Sequence, residues 1–108
     1  MARKEIVKII NRFASALGQE GINIEKMILY GSYANGKTRP ESDIDVAVVS
    51  KDFGRDKTDE GMFLFKIAGD IDSRLEPVPL SLESYRKNTW VPLIYEIRKS
   101  GIEIDIKK

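Results

Sequence analysis

Two apolar runs, and the residues between them, constrain this chain more than any other part of it. The first run ends at Tyr30 and passes at once into Gly31-Ser32. The second, Ile44 to Ser50, is headed by Asp43-Ile44-Asp45. Residues 33–42 separate Ser32 from Asp43. Short apolar runs bounded by glycine and turn residues read as buried strands, and the valine-rich second run is the clearer of the two. Pro40 biases Arg39 away from helical backbone, so Arg39 to Ser42 reads as a turn. The connection therefore cannot hold a long helix, and the rest of the chain must support a sheet whose polar turn meets a pair of acids.

The flanking elements follow from periodicity. Residues 3–18 place Ile6, Ile9, Ile10, Phe13 and Leu17 on one helical face, with Gly18 and Gly21 as the stop. A strand is expected over Lys26 to Tyr30. One helical turn at most fits Ser32 to Asn35, closed by Gly36. Lys51 to Lys57 is charged and reads as a surface loop. Thr58 or Asp59 would cap a helix running to about Arg74, with Met62, Phe63, Leu64, Phe65, Ile67, Ala68, Ile71 and Leu75 as its apolar positions. Glu76 to Leu80 carries two prolines and so belongs at a sheet edge. A short helical turn over Ser81 to Lys87 and a helix from Val91 or Pro92 to Ser100 follow, the latter with proline in its first turn. Ile102, Ile104 and Ile106 alternate with charged residues, as in a final strand. One domain covering 1–108 accounts for the length.

Composition narrows the chemistry. The chain has no cysteine and no histidine. That excludes disulfides, thiolate or imidazole metal sites, and histidine general bases. A metal would need oxygen ligands, which favours magnesium, manganese or calcium. A net charge of +1 does not mark a nucleic-acid binder. No signal-peptide pattern and no membrane-spanning apolar run is present, so a cytoplasmic protein with no membrane attachment is expected.

The central stretch has a physical logic. Two aspartates two apart at a strand start face the same side, roughly 6–7 Å apart along the backbone. Two carboxylates so placed can share divalent cations, and a pair of such ions can clamp the attacking and leaving oxygens of phosphoryl transfer. Gly31 lets backbone approach a phosphate, the amides of the following turn attract anions, and the Ser32 hydroxyl adds a donor. Ser42 either caps its turn or touches phosphate. Lys37 and Arg39 are close enough in sequence to meet a triphosphate, although charged turns are commonly only solvated. The same stretch satisfies the pattern G-x-x-x-x-G-K-T over Gly31 to Thr38. That pattern must open a long helix, and here Pro40 and a strand follow instead.

The run Gly31-Ser32-Tyr33-Ala34-Asn35-Gly36 through Ser42-Asp43-Ile44-Asp45-Val46 resembles the nucleotidyltransferases of the DNA polymerase beta superfamily, and in particular the minimal nucleotidyltransferases. The leading amphipathic helix and the segment from Pro92 to Glu103 extend the resemblance over nearly the whole chain. It implies an α/β (α+β) fold, a small mixed sheet with helices packed on it. It implies transfer of a nucleoside monophosphate, with ATP the favoured NTP, to a hydroxyl. Asp43 and Asp45 would hold two magnesium ions, with manganese as a substitute, and Gly31 and Ser32 would hold the triphosphate. Relatives of this size are often encoded beside a HEPN-domain protein, and some are antitoxins that adenylylate it. The family commonly adds a third carboxylate on a later strand. The centre of EPVPL has none, and Glu76 at its start is the nearest candidate, with Asp70 and Asp72 in a preceding helical stretch.

Two functions follow. One is an active nucleotidyltransferase; the other is a nucleotide-binding subunit that neutralises a HEPN protein by binding it, with little turnover. Trp90, Val91, Leu93, Ile94 and Tyr95 cannot all be buried on one helical face, and an exposed remainder would seat a partner or a second copy of the chain.

Overall fold

The computed structural model describes residues 4–39 and 41–106. Its elements in chain order are α1 (Lys4–Gln19), β1 (Ile24–Tyr30), α2 (Ser32–Asn35), β2 (Ile44–Ser50), α3 (Lys57–Ile71), β3 (Leu75–Ser81), α4 (Leu82–Lys87), α5 (Pro92–Ser100) and β4 (Ile102–Ile104). The four strands form one mixed sheet in the order β3-β2-β1-β4. β1 runs antiparallel to both β2 and β4, while β2 and β3 are parallel. Parallel neighbours cannot be joined by a hairpin, and α3 is the crossover that joins these two.

Both faces of the sheet are covered, which explains why β2 is apolar nearly throughout rather than alternating. Met27, Leu29, Ile44, Val46 and Val48 pack with α1 and α3 around Phe13 and Leu64. Ile28, Ala47 and Val49 turn the other way and pack with Leu82 of α4 and Ile97 of α5. Tyr30, Val78 and Leu80 join that second cluster. Strand parity therefore puts Tyr30, Asp45 and Glu76 on the α4/α5 face. The buried Ser50 ties the far end of β2 to the approach to β1: its Oγ donates to the Asn23 carbonyl at 2.6 Å and accepts from the Asp52 amide at 3.0 Å.

β3 is an edge strand, as its prolines predict. Pro77 and Pro79 share parity, and the register with β2 is unbroken from Leu75 to Ser81. Their missing donors thus fall on the open edge, where no ladder needs them.

Several boundaries differ from the expectations. The start of α1 at Arg3, Pro40 and the last two lysines lie outside the described residues. β1 begins at Ile24, not Lys26, because a register irregularity between Ile24 and Lys26 absorbs Glu25. The N-cap of α3 is Asp56, whose carboxylate accepts from the Asp59 amide at 3.0 Å; neither Thr58 nor Asp59 caps it. Glu60 fixes the same corner by accepting from the amides of Gly54, Arg55 and Asp56. α3 stops at Ile71 because the Asp72 carboxylate captures the Arg74 amide at 2.9 Å, and Leu75 belongs to β3. Of the eight apolar positions assigned to this helix, Leu64 and Ala68 are buried within it, whereas Met62 and Phe65 are 67% and 59% exposed. Among the described residues no helix is long and apolar enough to cross a membrane.

Candidate active site

β1 ends at Tyr30, and the chain turns at Gly31 with φ 72° and ψ −146°. That backbone geometry is essentially open only to glycine. Space demands glycine as well. A Cβ at position 31 would collide with Asp45 Oδ2 and lie 3.2 Å from its Cγ. The turn and the acid are thus packed against one another, two halves of a motif brought from either side of the intervening loop.

The single turn of α2 is closed by the amides of Ala34 and Asn35, which donate to the Gly31 carbonyl at 3.1 Å each. The amides of Ser32 and Tyr33 precede the first of these bonds and are not used by the helix. Gly36 ends it in left-handed backbone at φ 73°. The Lys37 amide then donates to the Ser32 carbonyl at 3.0 Å. A helix this short, followed by β2, rules out the phosphate-loop ATPase reading of Gly31 to Thr38.

Asp45 stands in a row across three strands. Tyr30 is its ladder partner on β1 and Glu76 its ladder partner on β3. Adjacent strands lie about 4.8 Å apart, so Glu76 is the carboxylate next to Asp45 on the same face. Asp43 sits two residues earlier, exposed, just before β2 begins. Burial raises the half-buried Asp45 carboxyl above its usual range, and repulsion from Asp43, Glu76 and Glu96 adds to the shift. Tyr30 is also half-buried. Burial, then the charges of Asp45, Glu96 and Glu76, push its phenol up to about 12, so it is a neutral hydroxyl across the physiological range. An excess of negative charge with no cation among these causes is the environment a divalent cation would relieve. Among the described residues no three acidic side chains converge closely enough to cage a metal by themselves. A bound cation would have to take further ligands from phosphate or water.

The remaining expected residues divide. Ser42 closes its own turn: its Oγ accepts from the Arg39 amide at 2.8 Å, and its amide donates to the Arg39 carbonyl at 2.9 Å. Its hydroxyl proton is still there to donate. Lys37 and Arg39 are exposed on the link between α2 and β2. Asp70 is exposed on α3, and Asp72 is bound to Arg74 through Oδ2 at 3.0 Å and Oδ1 at 3.1 Å. Neither belongs to the row. Glu76 does.

Sequence reasoning missed Tyr30, Glu96 and Arg74. Arg74 sits where β3 begins: its carbonyl accepts from the Ile44 amide at 2.7 Å, and Nη1 lies 3.5 Å from the Tyr33 hydroxyl. It therefore spans the start of β3 and the turn that carries Ser32. Tyr30 was legible as the residue before Gly31 with the parity of Ile28. Glu96 gave no local signal.

Residues 7–108 match the model of the family described as polymerase beta, nucleotidyltransferase. The chain belongs to that family. A Methanocaldococcus jannaschii protein, provisionally named a protein adenylyltransferase, is 30% identical over 101 residues, covering 93% of this chain and 99% of its own length. The fold also matches solved structures of low sequence identity. A provisionally named nucleotidyltransferase from Sulfolobus solfataricus superposes with a TM-score of 0.65 at 18% identity, over 92% of this chain and 78% of that one. A toxin–antitoxin complex with AMP-PNP matches with a TM-score of 0.61 at 24% identity, over 91% and 74%. The MntA–HpeT toxin–antitoxin, in a variant with two aspartates two positions apart replaced by glutamate, gives 0.62 at 22%, over 91% and 73%. A nucleotidyltransferase of this family is an enzyme, and the polymerase beta fold places its Gly31 turn and Asp45 in contact.

Proposed function

We propose that this nucleotidyltransferase moves AMP from ATP to a hydroxyl on a partner protein, with magnesium held by Asp43 and Asp45 and its shell completed by phosphate and water, and with Glu76 beside them. The observation that carries this reading is the register of β2 with β3, which sets Glu76 beside Asp45 where the turn of Gly31 meets it. The donors fit the metal: two aspartates two residues apart, no sulfur and no imidazole, with phosphate and water left to complete the shell. Magnesium, when bound, would neutralise the triphosphate and make the α-phosphorus a better electrophile.

The chain's own residues have the following parts. Gly31 and Ser32 hold the phosphates through backbone amides and the Ser32 hydroxyl, with Ser42, Lys37 and Arg39 beside them. The acceptor oxygen attacks the α-phosphorus, a new P–O bond forms, the bond to the pyrophosphate oxygen breaks, and pyrophosphate leaves with that electron pair. Glu76 is positioned to take the acceptor proton, since it is exposed beside the more buried Asp45. Tyr30, neutral and opposite Asp45 in the ladder, keeps a hydroxyl proton that it would donate to a bound phosphate. Such a reaction would take place in the cytoplasm, where ATP is abundant.

The likeness to a provisionally named protein adenylyltransferase and to toxin–antitoxin structures supports a protein acceptor, and we assign it to a HEPN-type toxin. A subunit that binds nucleotide without turnover is the other reading; it rests in part on the lack of an acid at the centre of EPVPL, and Glu76 beside Asp45 weakens that ground. The test is incubation with labelled ATP, magnesium and the candidate protein. Label on the acceptor, lost in Asp45→Asn and absent with EDTA, is expected. Unlabelled acceptor despite tight magnesium-ATP binding would overturn the reading.

A further inference from the structure

The acidic end of the sheet has a basic counterpart. A groove of about 770 Å3 lies along the second half of β3, between segment 51–60 and the pair α4 and α5. Glu76 and Val78 are two residues apart on β3, so the near edge of this groove lies roughly 6–7 Å from the row of Tyr30, Asp45 and Glu76, and its Leu80 end roughly 13 Å away. None of those three residues lines it.

Its lining mixes two chemistries. Val78, Leu80, Leu93 and Ile94 contribute apolar surface. Lys51 and Lys57 approach from one side, and Arg86 and Lys87 from α4 on the other. All four cations are exposed, and among the described residues none is engaged in an ion pair or a side-chain hydrogen bond. Two acids share the lining, Glu60 and Glu83. Glu60 is occupied with the amides of Gly54, Arg55 and Asp56, which leaves Glu83 as the one carboxylate facing four cations. In a chain of net charge +1 this is a local concentration of positive charge over an apolar floor.

We propose that the groove docks a short acidic segment of a partner protein, with an apolar side chain on the floor and carboxylates on Lys51, Lys57, Arg86 and Lys87. Strand addition to β3 is barred, because Pro77 and Pro79 offer no amide donors to an incoming chain. Recognition must therefore come from side chains. A nucleic acid would want a run of exposed rings along the groove for stacking; the lining's aromatic residue, Phe53, is buried, and the exposed Trp90 stands outside the lining. An acidic peptide with an apolar anchor matches both chemistries at once. Trp90, the chain's single tryptophan, is 78% exposed between the lining residues Asn88 and Val91, which makes it a fluorescence probe beside the groove.

The experiment titrates the full chain with a short synthetic peptide of glutamate and leucine, followed by Trp90 fluorescence. Polyglutamate of the same length and an oligo-dT strand serve as comparators. Saturable binding of the mixed peptide is expected, weakened by salt, tighter than either comparator, and reduced about tenfold or more in Arg86→Glu/Lys87→Glu. Equal or tighter binding of oligo-dT would overturn the proposal in favour of a nucleic-acid surface. Equal binding of polyglutamate would remove the apolar anchor, and an unaltered affinity in the double variant would move the site elsewhere. Magnesium-ATP binding, measured in parallel, separates the two sites: it should survive Arg86→Glu/Lys87→Glu, and peptide affinity should survive Asp45→Asn.

Discussion

Replacing Gly31 with alanine tests the central contact of the site. Two costs add. An alanine at φ 72° and ψ −146° pays for a backbone conformation that L residues avoid, about 1–3 kcal/mol. Its Cβ also collides with Asp45 Oδ2, and turning that side chain off its rotamer costs about 0.5–1.5 kcal/mol. Gly31→Ala should therefore lose roughly 1.5–4.5 kcal/mol in urea unfolding, the sum of these ranges. The two parts can be separated. The Cβ of Asp45 lies 3.4 Å from the added methyl, an ordinary contact, so truncation to Asp45→Ala removes the collision and leaves the backbone strain. The double variant should recover about 0.5–1.5 kcal/mol relative to the sum of the single changes, as a coupling between neighbouring sites. Additive effects, or a Gly31→Ala protein within about 0.5 kcal/mol of the parent, would refute the idea that glycine is required by this acid.

Glu76→Gln should cut label transfer about a hundredfold or more while magnesium-ATP binding persists, measured by single-turnover transfer and calorimetry; transfer within a few-fold of the parent would remove Glu76 as the base. Ser32→Ala should weaken nucleotide binding modestly, because the backbone amides remain, and calorimetry showing no change would exclude its hydroxyl. Phe13→Ala should cost about 3–5 kcal/mol in urea unfolding, since Phe13 is fully buried between α1 and the sheet. The Asp72 carboxyl is held below its usual value first by its side-chain bond to Arg74, so this acid stabilises the fold when ionised. Its advantage over Asp72→Asn is therefore complete above the ordinary value of 3.8 and disappears as pH falls through the lowered folded-state value. Parallel acid titrations of the two proteins, followed by circular dichroism, measure it; an advantage unchanged in strong acid would show that packing, not charge, is responsible.

How much of this was legible in the sequence depended on whether the cause was local. The valine run of β2, the face of α1 and the prolines of β3 act on their own neighbourhoods, and each was read correctly. The glycine-serine turn and the aspartates were legible as a pair because two strand patterns bracket them. Asp56, Thr58 and Asp59 are all plausible caps, and only the bend held by Glu60 selects the first. Four consecutive apolar residues, Met62 to Phe65, cover too much of a helix for periodicity to choose a face. Glu76 depended on the pairing of two positions 31 residues apart in sequence, 45 and 76, which no local pattern encodes. Glu96 reaches the site only because α5 folds back over the sheet.

The row of Tyr30, Asp45 and Glu76 also says which parts of the chain are interchangeable. Its alignment is written in the ladders, with β1 in unbroken register with β2 from Lys26 to Tyr30. The connection from Gly36 to Ser42 carries Lys37, Arg39 and Ser42 towards the phosphates, but it takes no part in the ladders that align the row. Each doubling of such a loop costs only about 0.6 kcal/mol. Lengthening this connection should leave the row aligned, whereas deleting one residue inside β1 would turn Tyr30 to the opposite face. An insertion in the connection would therefore separate the two contributions: it should spare the alignment of Tyr30, Asp45 and Glu76 and weaken only what the connection adds to phosphate binding.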